Sequence, residues 1–337
     1  MPRLAYITFD RVPAPKGAST HIEAFARGLA SEWSAIDLVT VGEPSPDPIE
    51  RWPGVIHWEL PALGPTLIDR ALCFGRALSH WLAPRDFEIV QFRSIFEGLP
   101  ILRNRKHAAL IFEVNGLPSI ELKYRYPGCE DDRELMGKII AQERACVSAA
   151  ARIVTPSAVT RDFLIRSRGA NPEQIEVIPN GVDTALFRPR NPIENEGSLV
   201  YFGTLSTWQG VDLAIRAAAR VNVPLKIYGT GGRGRREALE RLSAKLAAQV
   251  TLHPPIAQEE LAEQLSHASV ILAPLVWNDR NALQGCCPLK VLEGLASGRP
   301  VISSNLEVVR QLATHEEHLL LAKPGSVDGI VDAIERL

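Results

Sequence analysis

The sequence reads as α/β, with two Rossmann-like domains whose doubly wound parallel sheets face each other across a cleft. Short β-branched apolar runs alternate with amphipathic helical patterns almost throughout. Within the runs the apolar residues fall on successive positions, as in strands buried on both faces of a parallel sheet. The alternation breaks once, at residues 187–197 (FRPRNPIENEG), which carry two prolines, several charges and no periodicity. Domains usually run ~100–200 residues, so 337 residues fit two.

In the N-terminal half, strands are expected at 4–8, 36–41, 55–60, 87–92, 109–114, 152–155 and 175–178. In the C-terminal half they are expected at 199–203, 225–229, 250–253, 270–274, 300–303 and 318–322. Helical periodicity falls at 21–29, 133–149, 211–220, 235–246, 258–267 and 289–296. The expected domains are therefore 1–186 and 198–337, joined by a linker at 187–197. Ligands of open α/β sheets bind beyond the carboxyl ends of the strands, so the site is sought there. The chain stops at 334–337, inside an expected helix.

Composition excludes several classes. Net charge is −2, which gives no global basic field for nucleic acid. No run approaches the ~18 apolar residues of a membrane span, and residues 1–10 lack a signal-peptide pattern. The five cysteines have neither zinc nor disulfide spacing, and a reducing cytoplasm is the simplest setting. No His/Asp/Glu cluster has metal-ligand spacing, so no metal is expected.

Several segments carry candidate chemistry. After the first strand, DRVPAPKGAST (10–20) places Gly17 at a helix start, where free N–H groups suit an anion. A plain turn capped by Ser19 or Thr20 is the alternative. IPNGVDTALFRP (178–189) holds an Asn180-Gly181 turn. YFGTLSTWQGVD (201–212) and IYGTGG (227–232) end strands in Gly203 and Gly229, where backbone approaches a ligand or merely turns. The richest run is RNALQGCCPLKVLEGLASGRP (280–300). Pro288 can open its helix and Gly298 with Pro300 can close it. Lys290 and Glu293 then share one face in the first turns, beside free N–H donors, as a diphosphate and a ribose diol would require. A surface Lys–Glu pair is the alternative. Cys286 and Cys287 are read as loop packing.

Taken together these segments resemble the family-4 glycosyltransferases of the GT-B fold. VTPS at 154–157 and PLKVLEGLASGRPVI at 288–302 also carry the resemblance, which covers nearly the whole chain in order. It implies retaining, metal-independent transfer of a sugar from a nucleotide diphosphate-sugar co-substrate, with no other cofactor. The donor would bind the C-terminal domain, and a saccharide or lipid-linked acceptor the N-terminal one. Three positions depart from the family. Thr204 and Gln209 stand where Arg and Lys usually grip the diphosphate. Gly285 stands where the first of two glutamates, eight apart, is usual; Glu293 matches the second. Asn115, in FEVNG (112–116), matches a common histidine. The donor-side candidates are therefore Gly17, Gly203, Thr204, Gln209, Gly229, Arg280, Gly285, Lys290 and Glu293. Lys290 and Arg280 would replace the missing cations.

Glu113 and Asn115, at a strand end, are the catalytic candidates, with Glu121 nearby. His21 is read as approaching a substrate or capping its helix. Arg103, Arg105 and Lys106 form a basic run that would meet anionic lipid or simply end a helix. A nucleotide-sugar epimerase and a catalytically dead nucleotide-binding or assembly protein remain the alternatives in function.

Overall fold

The computed structural model describes residues 3–44, 47–104, 108–190 and 197–337. The chain divides into two compact units, residues 1–14 with 18–178 and residues 15–17 with 179–337. The division thus falls after Ile178, and the described part of the expected linker groups with the second unit. Residues 191–196 of that linker lie outside the described residues.

The N-terminal elements are β1 (Leu4–Ile7), α1 (Gly17–Trp33), β2 (Ile36–Val41), β3 (Ile49–Trp52) and β4 (Val55–Leu60). They continue through α2 (Leu67–Leu82), β5 (Ile89–Phe92), α3 (Ile95–Asn104), β6 (Ala109–Glu113) and α4 (Pro118–Arg125). They end with α5 (Arg133–Ala149), β7 (Arg152–Thr155), α6 (Ala158–Arg168) and β8 (Ile175–Val177). The sheet order is β3-β4-β2-β1-β5-β6-β7-β8. Every pair is parallel except β3 with β4. β3 was not expected: its IERW run is short, charged and exposed at the sheet edge, so it shows no buried apolar signature.

Period-two packing is plain in β1. Leu4 and Tyr6 join a core with Ile22, Ala26 and Ile36, while Ala5 and Ile7 join the core holding Phe74, Phe92 and Phe112. Helix starts follow their caps. Thr66 and Asp69 form a capping box on α2, Asp132 caps α5, and Ser157 caps α6. α2, α3, α4, α6 and the short helix Glu307–Arg310 were not expected, and α3 carries Pro100 inside it, which obscures its helical pattern.

The second unit runs β9 (Leu199–Phe202), α7 (Val211–Val221), β10 (Leu225–Tyr228), α8 (Arg233–Lys245), β11 (Val250–His253) and α9 (Gln258–Ser266). It continues β12 (Val270–Ala273), α10 (Leu289–Ala296), β13 (Val301–Ser304), α11 (Glu307–Arg310), β14 (Leu320–Ala322) and α12 (Val327–Glu335). Its sheet is wholly parallel in the order β11-β10-β9-β12-β13-β14. In both sheets the order reverses beside the first strand, at β1/β5 and at β9/β12. Such switch points open a crevice at the carboxyl ends. Gly294 lets α10 lie close on the sheet, because a Cβ there would sit 2.9 Å from Val301.

A buried histidine makes the first unit acid-sensitive. His57 on β4 is 1% exposed, accepts from Arg51 Nε at Nδ1 (3.0 Å) and bonds Thr40 Oγ1 through Nε2 (2.8 Å). Burial, then Arg51, lowers its pKa to about 4. A base lowered on folding costs nothing above its unfolded pKa of ~6.5; the penalty grows as pH falls and is complete below about 4. It should reach ~3 kcal/mol. His57→Gln should therefore close the gap to wild type in urea unfolding as pH drops from 7 to 4. Parallel pH curves for the two proteins would refute this.

Among the described residues no helix is long and apolar enough to cross a membrane, and no three His, Cys, Asp or Glu groups gather as for a metal. Of the basic run, Arg103 lies in the last turn of α3, and Arg105 and Lys106 lie outside the described residues. All five cysteines are free thiols.

Candidate active site

In the second unit the loop after β9 and the start of α10 meet. Lys290 is the second residue of α10; Pro288 caps the helix with no side-chain bond, and while Val291 N–H donates to Pro288 O at 3.1 Å, the N–H groups of Leu289 and Lys290 have no side-chain cap. The ammonium donates to Gln209 Oε1 at 2.6 Å and to Tyr201 Oη at 3.0 Å, and lies 4.3 Å from the Tyr201 ring centre. The Tyr201 hydroxyl in turn donates to the Thr204 carbonyl at 2.9 Å. Thr204 thus serves through its backbone, while its side chain is exposed.

Lys290 and Glu293 are each 8% exposed, which replaces the surface-pair alternative with a buried one. No ion pair within 4.0 Å joins them among the described residues, and the Glu293 carboxylate accepts no hydrogen bond there. Burial lowers the Lys290 pKa to about 7, opposed by Glu293 and aided by Arg280. Burial likewise raises Glu293 to about 7, against the pull of Lys290. A buried ammonium with only neutral partners is poised to gain from an arriving anion.

The glycines shape this face. Gly203 has φ +108°, and Gly229 packs so close that a Cβ would stand 2.1 Å from the Gly203 carbonyl oxygen. Gly203 N–H donates to Tyr228 O and Leu205 N–H to Thr230 O, both at 2.8 Å, so the two loops travel as one. Gly229→Ala should therefore lose more than ~3 kcal/mol, since backbone must move to admit the methyl. A melting temperature equal to wild type would contradict that contact.

Arg280 bonds its neighbour Asn281 at 3.1 Å and lies 5.7 Å from the Trp208 ring centre. It sits in a π-helical turn, Asp279–Gln284, that ends at Gly285 with φ +86°. Asn281, fully buried, ties this turn to Trp208 O (2.9 Å) and Val276 O (2.8 Å). Asn180 of the IPNGVD segment donates to Cys287 O at 2.9 Å, just before α10.

The first unit holds the other cluster. Glu113, at the end of β6, is buried and accepts five donors. Tyr6 Oη (2.7 Å) and Gln91 Nε2 (2.8 Å) reach Oε2. His21 Nε2 (2.7 Å), Arg93 Nε (3.0 Å) and Asn115 Nδ2 reach Oε1. Burial pushes the carboxyl up, but Arg93, then His21 and Tyr6, outweigh it and hold it well below the usual range. Arg93 also reaches Asp10 at 3.2 Å. Glu113 thus orders its neighbours, and Asn115 is one of its donors.

Tyr6, Tyr201, Gln91 and Arg93 carry no sequence signal: the tyrosines lie inside apolar strands, Gln91 lies in β5, which reads as core, and Arg93 follows it directly. Gly17 opens α1 and is exposed. Ser19 Oγ accepts from Ala14 N–H at 2.8 Å, folding the preceding loop back on itself. Glu121 makes no bond to Glu113.

Two doubly wound units with polar groups beyond their strand ends have the architecture of GT-B glycosyltransferases. Residues 15–186 match the family described as Glycosyltransferase Family 4, and 196–337 match Glycosyl transferases group 1. The chain belongs to glycosyltransferase family 4.

It is 26% identical over 326 residues to D-inositol 3-phosphate glycosyltransferase 1 of Catenulispora acidiphila, covering 86% of this chain and 74% of that one. With the D-inositol 3-phosphate glycosyltransferase of Acidothermus cellulolyticus it shares 31% over 200 residues, covering 52% and 43%. Sucrose-phosphate synthase from Thermosynechococcus elongatus superposes with a TM-score of 0.83 at 20% identity, covering 100% of this chain and 89% of that one. Anabaena HepE, solved with UDP-glucose, gives 0.74 at 12% identity, covering 99% and 89%.

Proposed function

We propose that this glycosyltransferase takes its sugar from a nucleoside diphosphate-sugar bound on the second unit and passes it, with retention, to a hydroxyl held on the first. The observation that carries this is Lys290, a buried ammonium at the uncapped start of α10 with only neutral hydrogen-bond partners. Lys290 and the helix N–H groups receive the diphosphate, with Arg280 as a second cation. Glu293, whose carboxylate has no hydrogen-bond partner among the described residues, accepts from the ribose hydroxyls. Gly203 and Gly229 keep the backbone low beneath them. Gly17 supplies a further close approach, and Gly285 sets the turn before α10.

In the transfer the anomeric carbon–phosphate oxygen bond breaks. The acceptor oxygen bonds the same face of that carbon, and its proton passes to the departing phosphate oxygen. Charge builds on the leaving diphosphate, where Lys290 and α10 stabilise it. Glu113, already bonded by five donors, is a positioning residue rather than a nucleophile, and Asn115 is positioned with it. No metal or further cofactor takes part. The acceptor is a saccharide, free or lipid-linked. A cytoplasmic setting fits five free thiols.

Calorimetry with UDP, GDP and ADP should find one tight ligand, and the matching sugar donor should turn over in EDTA. Proton NMR should show the product anomer with the donor's configuration. An inverted product, or turnover abolished by EDTA and restored by Mg²⁺, would overturn the scheme. A new sugar isomer formed without acceptor would make the protein an epimerase.

A further inference from the structure

His21 stands in α1, which follows β1 at the switch point of the first sheet. Its Nε2 meets Glu113 Oε1 at 2.7 Å, its ring stacks on Phe25 one turn later, and its side chain is 18% exposed while Glu113 is 3% exposed. A carboxylate offers about four lone-pair sites. Tyr6, Gln91, Arg93 and Asn115 already supply four donors. Glu113 therefore does not need His21 to be satisfied, whereas His21 needs Glu113 to be fixed. The Glu113 carboxylate accepts from Nε2, so Nδ1 is the ring nitrogen left to meet a ligand. Nδ1 has no partner among the described residues, nor does Arg93 Nη2, and both groups hang on the same Oε1.

We propose that His21 and Arg93 form the acceptor subsite of this enzyme and that the acceptor is an uncharged polyhydroxy compound, a sugar or cyclitol. One hydroxyl, next to the attacked one, donates to His21 Nδ1, and a neighbouring hydroxyl accepts from Arg93 Nη2. The attacked hydroxyl keeps its proton for the leaving phosphate. The lack of charge follows from Arg93: its guanidinium already serves two carboxylates, Glu113 and Asp10 (3.0 and 3.2 Å), so it suits a hydroxyl better than a phosphate dianion. This inference rests on the function proposed above.

The test uses UDP-glucose as donor and myo-inositol, D-glucose and D-inositol 3-phosphate as acceptors, with His21→Gln and His21→Ala. Glutamine keeps a donor at the ε position for Glu113 but has no acceptor at the δ position. Wild type should transfer to at least one of the two neutral polyols. His21→Gln should raise that acceptor's KM by about tenfold or more, with UDP affinity and melting temperature near wild type. His21→Ala should share the KM defect. A normal KM in His21→Gln would overturn the inference, because His21 would then serve only Glu113. Transfer to the inositol phosphate alone, or UDP binding with no transfer to either neutral polyol, would also overturn it. Failure of wild type to bind any nucleoside diphosphate would instead remove the function on which it rests.

Discussion

Replacing Glu113 by alanine is expected to remove ~3–5 kcal/mol of stability at neutral pH, the largest single-residue effect expected in the first unit. The truncation leaves five donors behind, and one of them, Arg93, is a guanidinium whose side chain is 9% exposed. Arg93 keeps Asp10 at 3.2 Å, but it loses its buried carboxylate, and a buried charge stripped of such a partner costs far more than the loss of one neutral bond. Glu113→Gln keeps the volume but brings an NH2 group against Tyr6 or Arg93, so it should lose nearly as much. Tyr6→Phe removes one neutral donor and should cost only ~1 kcal/mol. The pH dependence follows from a carboxyl depressed on folding. Its contribution is complete above the unfolded glutamate value of ~4.3 and disappears only as pH falls through the depressed native value. Glu113 variants should therefore differ most from wild type at pH 7 and converge with it in strong acid. Urea midpoints decide the matter. A Glu113→Ala loss below ~1 kcal/mol would mean that the cluster is wetter than its geometry implies.

What the sequence revealed and what it hid have separable causes. Strands buried on both faces, such as LVYF at 199–202 and VILA at 270–273, announce themselves because every position is apolar. The edge strand β3 does not, because its pairing is set by β4 rather than by its own burial. Lys290 and Glu293 were legible as a spaced pair, but their burial was not, since that depends on how closely Gly294 lets α10 approach the sheet. The partners of Lys290 were harder still. Tyr201 is 89 residues away in sequence and Gln209 is 81. Gln209, legible only as a missing lysine, proves to be a hydrogen-bond acceptor for a lysine supplied from another element. Glu113 was found because it ends a strand. Its role as a hub was hidden because its donors come from β1, α1 and the β5 end, which only the sheet order brings together. The alternation gave the two-sheet architecture, but the division after Ile178 rests on packing of residues 179–190 that no local pattern records.

Lys290→Ala should weaken nucleoside diphosphate binding by ~1.5–3 kcal/mol, roughly one to two decades, and lower kcat/KM by more. The excess arises because negative charge grows on the leaving diphosphate during transfer. Lys290→Met, which fills the same space without charge, separates this from lost packing. Burial holds the free ammonium's pKa at about 7, so much of it is neutral just above that pH. An arriving diphosphate favours the charged form of Lys290, which takes up a proton, while the ribose diol favours the ionised form of Glu293, raised by burial to about 7, which releases one. Wild-type affinity relative to Lys290→Met should therefore be greatest below pH 7 and fall with rising pH by at most tenfold per unit, the part of the slope that Lys290→Met lacks. Titration in two buffers of different ionisation heats would measure the net proton exchange directly. Gln209→Lys tests the same contact from the other side. It removes the 2.6 Å acceptor and sets a second cation against Lys290, so it should weaken binding although it restores the family's usual residue. Thr204→Arg has no such conflict, because the Thr204 side chain is exposed, and it should leave affinity equal or tighter. If Lys290→Met folds, binds the diphosphate as wild type does and shows the same pH slope, the diphosphate lies elsewhere on the second unit.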